Sequence, residues 1–201
     1  MALVVITGGA RSGKSRAAQE LAAARHRDGQ PVTVVVFGSA SDSEMTERIA
    51  RHQADRPSTF AVIEAEDSLS WIADLSEGDL LVVDCLGTCL GRVMLEVWES
   101  AADGADMVHA DELPPQLEAG VGIAMGNVVD ALLCRSGDTI VVTNEVGSSV
   151  VPAYATGRLF RDELGRANRR LIDGALASYL AIAGRLLDLG SLPRTALWPE
   201  D

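Results

Sequence analysis

The 201-residue sequence predicts an α/β fold, a mostly parallel β-sheet covered by helices on both faces. Three observations carry this expectation. Apolar, β-branched runs of four to six residues alternate with longer segments patterned as helices. Several of the runs, such as Val32–Phe37 and Leu80–Val83, are apolar throughout rather than at every second position, as strands buried on both faces are. Finally, Gly8-Gly9-Ala10-Arg11-Ser12-Gly13-Lys14-Ser15 stands between the first such run and the first helix, and matches the phosphate-binding pattern G-x-x-x-x-G-K-[ST] in the context that gives it meaning.

The elements follow in order. Leu3–Thr7 reads as a strand and Lys14–Arg27 as an Ala-rich helix ended by Gly29. Pro31 opens a second strand, Val32–Phe37. Ser41 or Asp42 can cap a helix from about Ser43 to Ala54, stopped before Pro57. Phe60–Ile63 is a short strand, Ser68–Leu75 a short helix and Asp79–Asp84 a buried strand. A helix follows from Leu86 to about Glu99. Residues 101–115 read as an acidic insertion loop, with Gly104 and the Pro114-Pro115 pair. Gln116–Arg135 reads as a helix weakened by three glycines, and Thr139–Thr143 as a strand. Arg158–Leu176 is helical, and Tyr179–Ala183 closes the sheet with a hairpin return at Leu186–Leu189. No repeat or linker divides residues 1–201, so one domain is expected, of the P-loop NTPase (RecA-like) type.

Composition excludes more than it selects. A net charge of −12 argues against general binding of nucleic acid or anionic membranes, so attraction for phosphate must be local. No apolar run approaches the ~18 residues of a membrane helix, and no signal-peptide layout opens the chain; the cytoplasm is the expected compartment. Cys85, Cys89 and Cys134 have no metal-ligand spacing and read as reduced, buried thiols.

Chemistry concentrates at a few positions. In the phosphate loop, Gly8, Gly9, Ala10, Arg11, Ser12 and Gly13 let consecutive N–H groups face one anion, aided by the positive end of the following helix. Lys14 is the only lysine in the chain, kept where a compact ammonium can reach the β- and γ-phosphates. The Ser15 hydroxyl is a ligand for Mg²⁺. Asp84, ending the buried strand Leu80–Asp84, has the form of a Walker B carboxylate and can reach the same ion, although such a residue also commonly caps the next helix. Glu64, directly after the strand Phe60–Ile63, is placed among the nucleotide contacts. On a helix, Glu44, Arg48, His52 and Arg56 recur every four positions, about 40° apart, as a polar stripe. Two arginines one turn either side of His52 disfavour the imidazolium, leaving a ring nitrogen free as a nucleophile and holding a phosphate for attack. Taken alone, such a stripe is more often a solvated helix face than a catalytic one. Asn144 and Glu145 end the strand Thr139–Thr143 at the sheet edge where α/β folds bind ligands. Glu145 can reach the metal through water, contact nucleotide, orient an acceptor hydroxyl or fix the turn at Gly147. Arg161 can meet a phosphate or pair with an acidic neighbour on its helix.

Several of these stretches stand together in order: GGARSGKS at residues 8–15, D-x-E-M-x-x-R-I-x-x-H-x-x-x-R-P at 42–57, VDCL at 83–86, TNEVG at 143–147, Val151-Pro152 and FRDELGRAN at 160–168. Together they resemble the bifunctional adenosylcobinamide kinase / adenosylcobinamide-phosphate guanylyltransferase family of cobalamin biosynthesis, over residues 1 to about 188. The phosphate loop is generic, whereas the histidine run and NEVG are specific to that family. The resemblance implies phosphorylation of adenosylcobinamide by ATP or GTP. Transfer of GMP from GTP to adenosylcobinamide phosphate follows, through a guanylyl-histidine that falls on His52. It also implies a homotrimer. Arg48 and Arg56 then become the holders of the α-phosphate. Gly87–Arg92, the FGSA at 37–40, the acidic insertion and Asn168-Arg169 depart from the family pattern. Without the resemblance, a phosphate-loop kinase of another small molecule and a non-catalytic nucleotide switch stay open.

Overall fold

A computed structural model describes residues 2–37, 57–72, 75, 78–101 and 112–195. The expected helix at 43–54 and most of the insertion at 101–115 lie outside the described residues.

The sheet has seven strands: β1 (Leu3–Gly8), β2 (Val32–Val36), β3 (Ala61–Glu64), β4 (Leu80–Asp84), β5 (Thr139–Val142), β6 (Ala177–Ile182) and β7 (Arg185–Asp188). Their spatial order is β3-β2-β4-β5-β1-β6-β7, all parallel except the terminal β6–β7 pair. One strand, β5, thus separates the phosphate-loop strand from the Asp84 strand, the RecA-like arrangement.

Alternation along the strands splits the core into two layers, as a doubly covered sheet requires. Val5, Val35, Leu81, Val83 and Val141 face one side, where they pack with α2 (Leu86–Ala101), α3 (Pro115–Cys134) and α4 (Ala155–Gly174). Ile6, Val34, Val82, Ile140 and Val142 face the other, against Ala18 and Ala22 of α1 (Lys14–Arg27). Alanines on the buried stripe of α1 let its axis lie close to the strands that carry the site.

Most expected elements appear within two residues of their boundaries, and the differences have local causes. The expected helix Ser68–Leu75 is a single 3-10 turn, Ser70–Ile72. Asp67 accepts from the N–H groups of Leu69 and Ser70 at 2.8 and 2.6 Å, while the buried Trp71 indole donates to Ser68 O at 2.9 Å. That knot is fastened to α2 by Glu96, which accepts from Ser68 N and Oγ. In α3 one glycine serves packing: a Cβ on Gly120 would stand 2.9 Å from Val97 Cγ1 of α2, whereas one on Gly122 would make only ordinary contact with Glu163 of α4, at 3.7 Å. Helix α3 is also, by length and composition, apolar enough to cross a membrane. Its Leu117, Val121, Met125, Val128, Val129 and Leu132 are buried, five of them lying in the core beneath α2 and α4.

The amino edge of the sheet is tied electrostatically. Asp138, just before β5, accepts from Ala2 N at 2.8 Å and from Arg25 at 2.6 Å. The Arg25 hydrogen bond is the main cause holding its carboxyl below the usual range, aided by Ala2. A carboxyl depressed in the folded chain stabilises above its unfolded value, and that contribution is lost as pH falls through the folded one. Asp138→Asn is therefore expected to cost about 1 kcal/mol near neutrality, with the difference from the native chain shrinking below about pH 4. Urea unfolding at pH 7 and pH 3 checks this. Because Asp138 is on the edge opposite the phosphate loop, nucleotide affinity should not change.

Candidate functional site

The phosphate loop leaves β1 at the carboxyl edge of the sheet and enters α1 without an intervening turn of helix. Its backbone requires unusual conformations: Gly8 has φ 150°, Arg11 φ 55° and Gly13 φ 99°. A Cβ on Gly8 would stand 2.4 Å from the Ala181 carbonyl oxygen of β6, so only glycine fits where β1 passes its neighbour. Gly9, Ala10 and Arg11 are exposed, while Ser12 and Lys14 are buried.

Two loop carbonyls are held. Gly8 O accepts from the Glu145 N–H at 3.0 Å, and Gly9 O accepts from Lys14 Nζ at 2.6 Å. In a trans peptide the N–H points opposite its carbonyl. With Gly8 O held toward the end of β5, the Gly9 N–H is directed to the inside of the loop, where the unpaired first-turn amides of α1 also lie. No acidic side chain occupies the first turn of α1, so its positive end is not neutralised by the helix itself. The result is an anion cradle in a strongly acidic protein.

Ser15 and Asp84 meet beside it. Ser15 Oγ donates to Asp84 Oδ1 at 3.0 Å, although 69 residues separate them. This places one hydroxyl and one carboxylate oxygen together at the helix start. Mg²⁺ uses one or two protein oxygens, with waters and phosphate oxygens completing its shell, and this pair fits that donor set.

The end of β5 completes the edge. Asn168 of α4, buried, accepts from Thr143 Oγ1 at 2.6 Å and donates to Asn144 O at 2.9 Å. That clamp fixes the chain where Asn144 and Glu145 leave the strand, and the Glu145 amide carries the constraint to Gly8. Asn144 lies against α2, its Nδ2 at 3.0 Å from where a Gly87 Cβ would be.

A family model described as cobinamide kinase / cobinamide phosphate guanyltransferase matches residues 4–189. The chain belongs to this family. The bifunctional adenosylcobalamin biosynthesis protein CobP of Pseudomonas aeruginosa is 31% identical over 191 residues, 94% of this chain and 98% of the relative. The bifunctional adenosylcobalamin biosynthesis proteins CobU of Escherichia coli and Salmonella typhimurium are each 29% identical, over 90% of this chain and 96% of the relative.

For this cobinamide kinase / guanyltransferase family member, the sequence-predicted residues fall into three groups. Gly8 to Ser15, Asp84, Asn144 and Glu145 converge at the carboxyl ends of β1, β4 and β5. Glu64 ends β3 on the same edge but is four strands from β1, about 19 Å at ordinary strand spacing, and so is not brought to the loop. Arg48, His52 and Arg56 lie outside the described residues. Two residues given several readings each show one contact within the protein. Glu145 Oε1 accepts from Gly147 N at 2.8 Å, which fixes the turn. Arg161 pairs with Asp162 at 2.9 Å, and Arg158 donates to the Ala153 carbonyl at 2.6 Å. The positioning role of Asn168 was missed in the sequence, where it stood only as the last residue of FRDELGRAN; its place at the end of β5 depends on strand order, which local pattern does not carry.

Proposed function

We propose that this chain phosphorylates adenosylcobinamide with ATP or GTP and then transfers GMP from GTP to the product. The outcome is adenosylcobinamide-GDP and pyrophosphate, a step of cobalamin biosynthesis. One domain carries both reactions, in the cytoplasm and as a homotrimer. The observation that carries the reading is the Ser15–Asp84 contact at a held phosphate loop, in a chain that belongs to this family.

In the kinase step the acceptor hydroxyl oxygen bonds to the γ-phosphorus, the β–γ bridge breaks, and the hydroxyl proton leaves. Loop N–H groups and Lys14 hold the charge that develops on the phosphates. When bound at Ser15 and Asp84, Mg²⁺ supplies further neutralisation of the departing phosphate oxygens. In the guanylyl step a neutral His52 nitrogen attacks the α-phosphorus of GTP. An N–P bond forms, the α–β bridge breaks, and pyrophosphate departs from the same loop. A phosphate oxygen of adenosylcobinamide phosphate then displaces His52, which returns to its free state. Covalent catalysis divides one displacement between two anions into two easier ones. Arg48 and Arg56 hold the α-phosphate, and Glu64 contacts the nucleotide at the end remote from the loop.

The test is incubation with GTP labelled at the α-phosphate. An acid-labile, base-stable label on the native protein is expected. A protein that never labels, or one whose label survives His52→Ala, would leave a simple kinase or a nucleotide switch as the better account.

A further inference from the structure

The hairpin that closes the sheet does more than cover an edge. Strand β6 runs beside β1 in register, with Gly8 opposite Ala181, and then continues past the end of β1 to Ile182. Its turn, Ala183-Gly184, therefore lies over the phosphate loop. Both turn residues have positive φ, 48° and 76°, and Ile182 pairs with Arg185 across them, the pattern of a type I′ hairpin. The two chains touch closely. The Gly184 N–H donates to the Ser12 carbonyl at 2.9 Å, and a Cβ on Gly13 would stand 3.2 Å from Gly184 Cα.

We propose that this turn is a working part of the nucleotide site, with Gly184 as a positioning residue: by holding the Ser12 carbonyl it aims the Gly13 N–H at the triphosphate. The logic is that of the peptide plane. A trans peptide directs its N–H away from its carbonyl. Fixing the Ser12 oxygen on the hairpin side sends the next amide, that of Gly13, to the opposite side, into the cradle. Gly13 itself is held at φ 99°, a conformation that glycine visits along with many others, so an outside contact is what selects it. Gly8 O is held in the same way by Glu145. The Gly184 contact is the second of these outside constraints, and the one supplied by the last strand pair. It places part of the loop's preorganisation on a segment about 170 residues from the loop, and makes nucleotide affinity depend on the geometry of that turn.

Ala183 gives access to this arrangement. It is exposed and holds a left-handed conformation that an alanine adopts at a penalty, that asparagine tolerates, and that proline and β-branched residues refuse. Its substitution alters the turn without adding or deleting a group at the loop. The inference rests on the reading of the loop as a nucleotide site, so the experiment measures GTP binding to the native chain first, by calorimetry with a non-hydrolysable analogue. Ala183→Pro and Ala183→Val are then expected to raise Kd about five- to tenfold, the worth of one hydrogen bond. Ala183→Asn should stay within about twofold of native. The control is Leu187→Ala, which loosens β7 away from the turn; it should lower the thermal midpoint and leave Kd unchanged. Turnover of the turn variants at saturating nucleotide should remain near native, so that the change appears in KM rather than kcat. If the native chain binds and the proline and valine variants bind as well as it does, the role of the hairpin is refuted alone. It is equally refuted if Leu187→Ala weakens binding as much as they do, because general loosening then explains the effect. A native chain that bound no nucleotide would overturn both the hairpin's role and the reading it rests on.

Discussion

Lys14→Ala is expected to lower both activities, phosphorylation of adenosylcobinamide and guanylylation of its phosphate, by about 10²–10³-fold in kcat. The reason is that one anion cradle serves two leaving groups. In the kinase step the charge develops around the γ-phosphate and the nucleoside diphosphate. In the guanylyl step it develops on pyrophosphate, which occupies the same β- and γ-positions. Lys14 is buried and its ammonium is 2.6 Å from Gly9 O, within the loop that would hold those phosphates. No other lysine exists to replace it. Lys14→Arg should rescue little, since a planar guanidinium is larger and presents its donors in a fixed fork rather than as a point charge. The substitution leaves the main core layers unchanged, so the thermal midpoint should move by only a few degrees. Separate assays of the two half-reactions decide the matter. Full guanylyl transfer in a kinase-dead Lys14→Ala protein would mean that pyrophosphate leaves from a different place, and the shared cradle would be wrong.

How far the sequence carries this site depends on the range of the interactions involved. Strand β4 could be bounded to within a residue because Leu80 to Val83 are apolar on both faces, and helix α1 because Gly13 and Gly29 stand at its ends. The loop was legible for the same local reason: glycine spacing, one lysine and one serine state the chemistry without any knowledge of the fold. Asp84 needed one further step, the inference that two parallel strands would bring their carboxyl ends together, and the 3.0 Å contact with Ser15 bears it out. What was not legible depends on strand order. Nothing near Asn168 announces that α4 crosses the end of β5, and nothing near Gly184 announces that β6 pairs with β1. Those contacts join residues 24 and 172 positions apart. Gly120 shows the same limit in reverse. Judged locally it weakens a helix, yet in the fold it admits Val97 from the neighbouring helix.

His52→Ala is expected to abolish guanylyl transfer, by about 10⁴-fold or more, while leaving the kinase reaction near its native rate. The argument rests on which phosphorus is attacked. Phosphorylation is attack at the γ-phosphorus by the acceptor's own oxygen, and needs no protein nucleophile. Guanylylation by the proposed route needs a bond between protein and α-phosphorus, and a histidine makes it only through an uncharged imidazole nitrogen. On a helix, Arg48 and Arg56 would stand one turn to either side of His52, where they would favour the uncharged form and hold the phosphate attacked. Each should therefore matter to the second reaction: Arg48→Ala and Arg56→Ala should slow label transfer from GTP more than they slow phosphorylation. The pH dependence offers an independent check. Guanylyl transfer should fall on the acid side as His52 becomes protonated, and the kinase reaction should not share that limb. The measurement is a paired one, α-label incorporation and product phosphate from the same preparations. A His52→Ala protein that lost both activities alike would show the histidine to be structural. A protein that kept both would show the α-phosphate to be transferred directly, from GTP to the acceptor, with the loop alone holding the departing pyrophosphate.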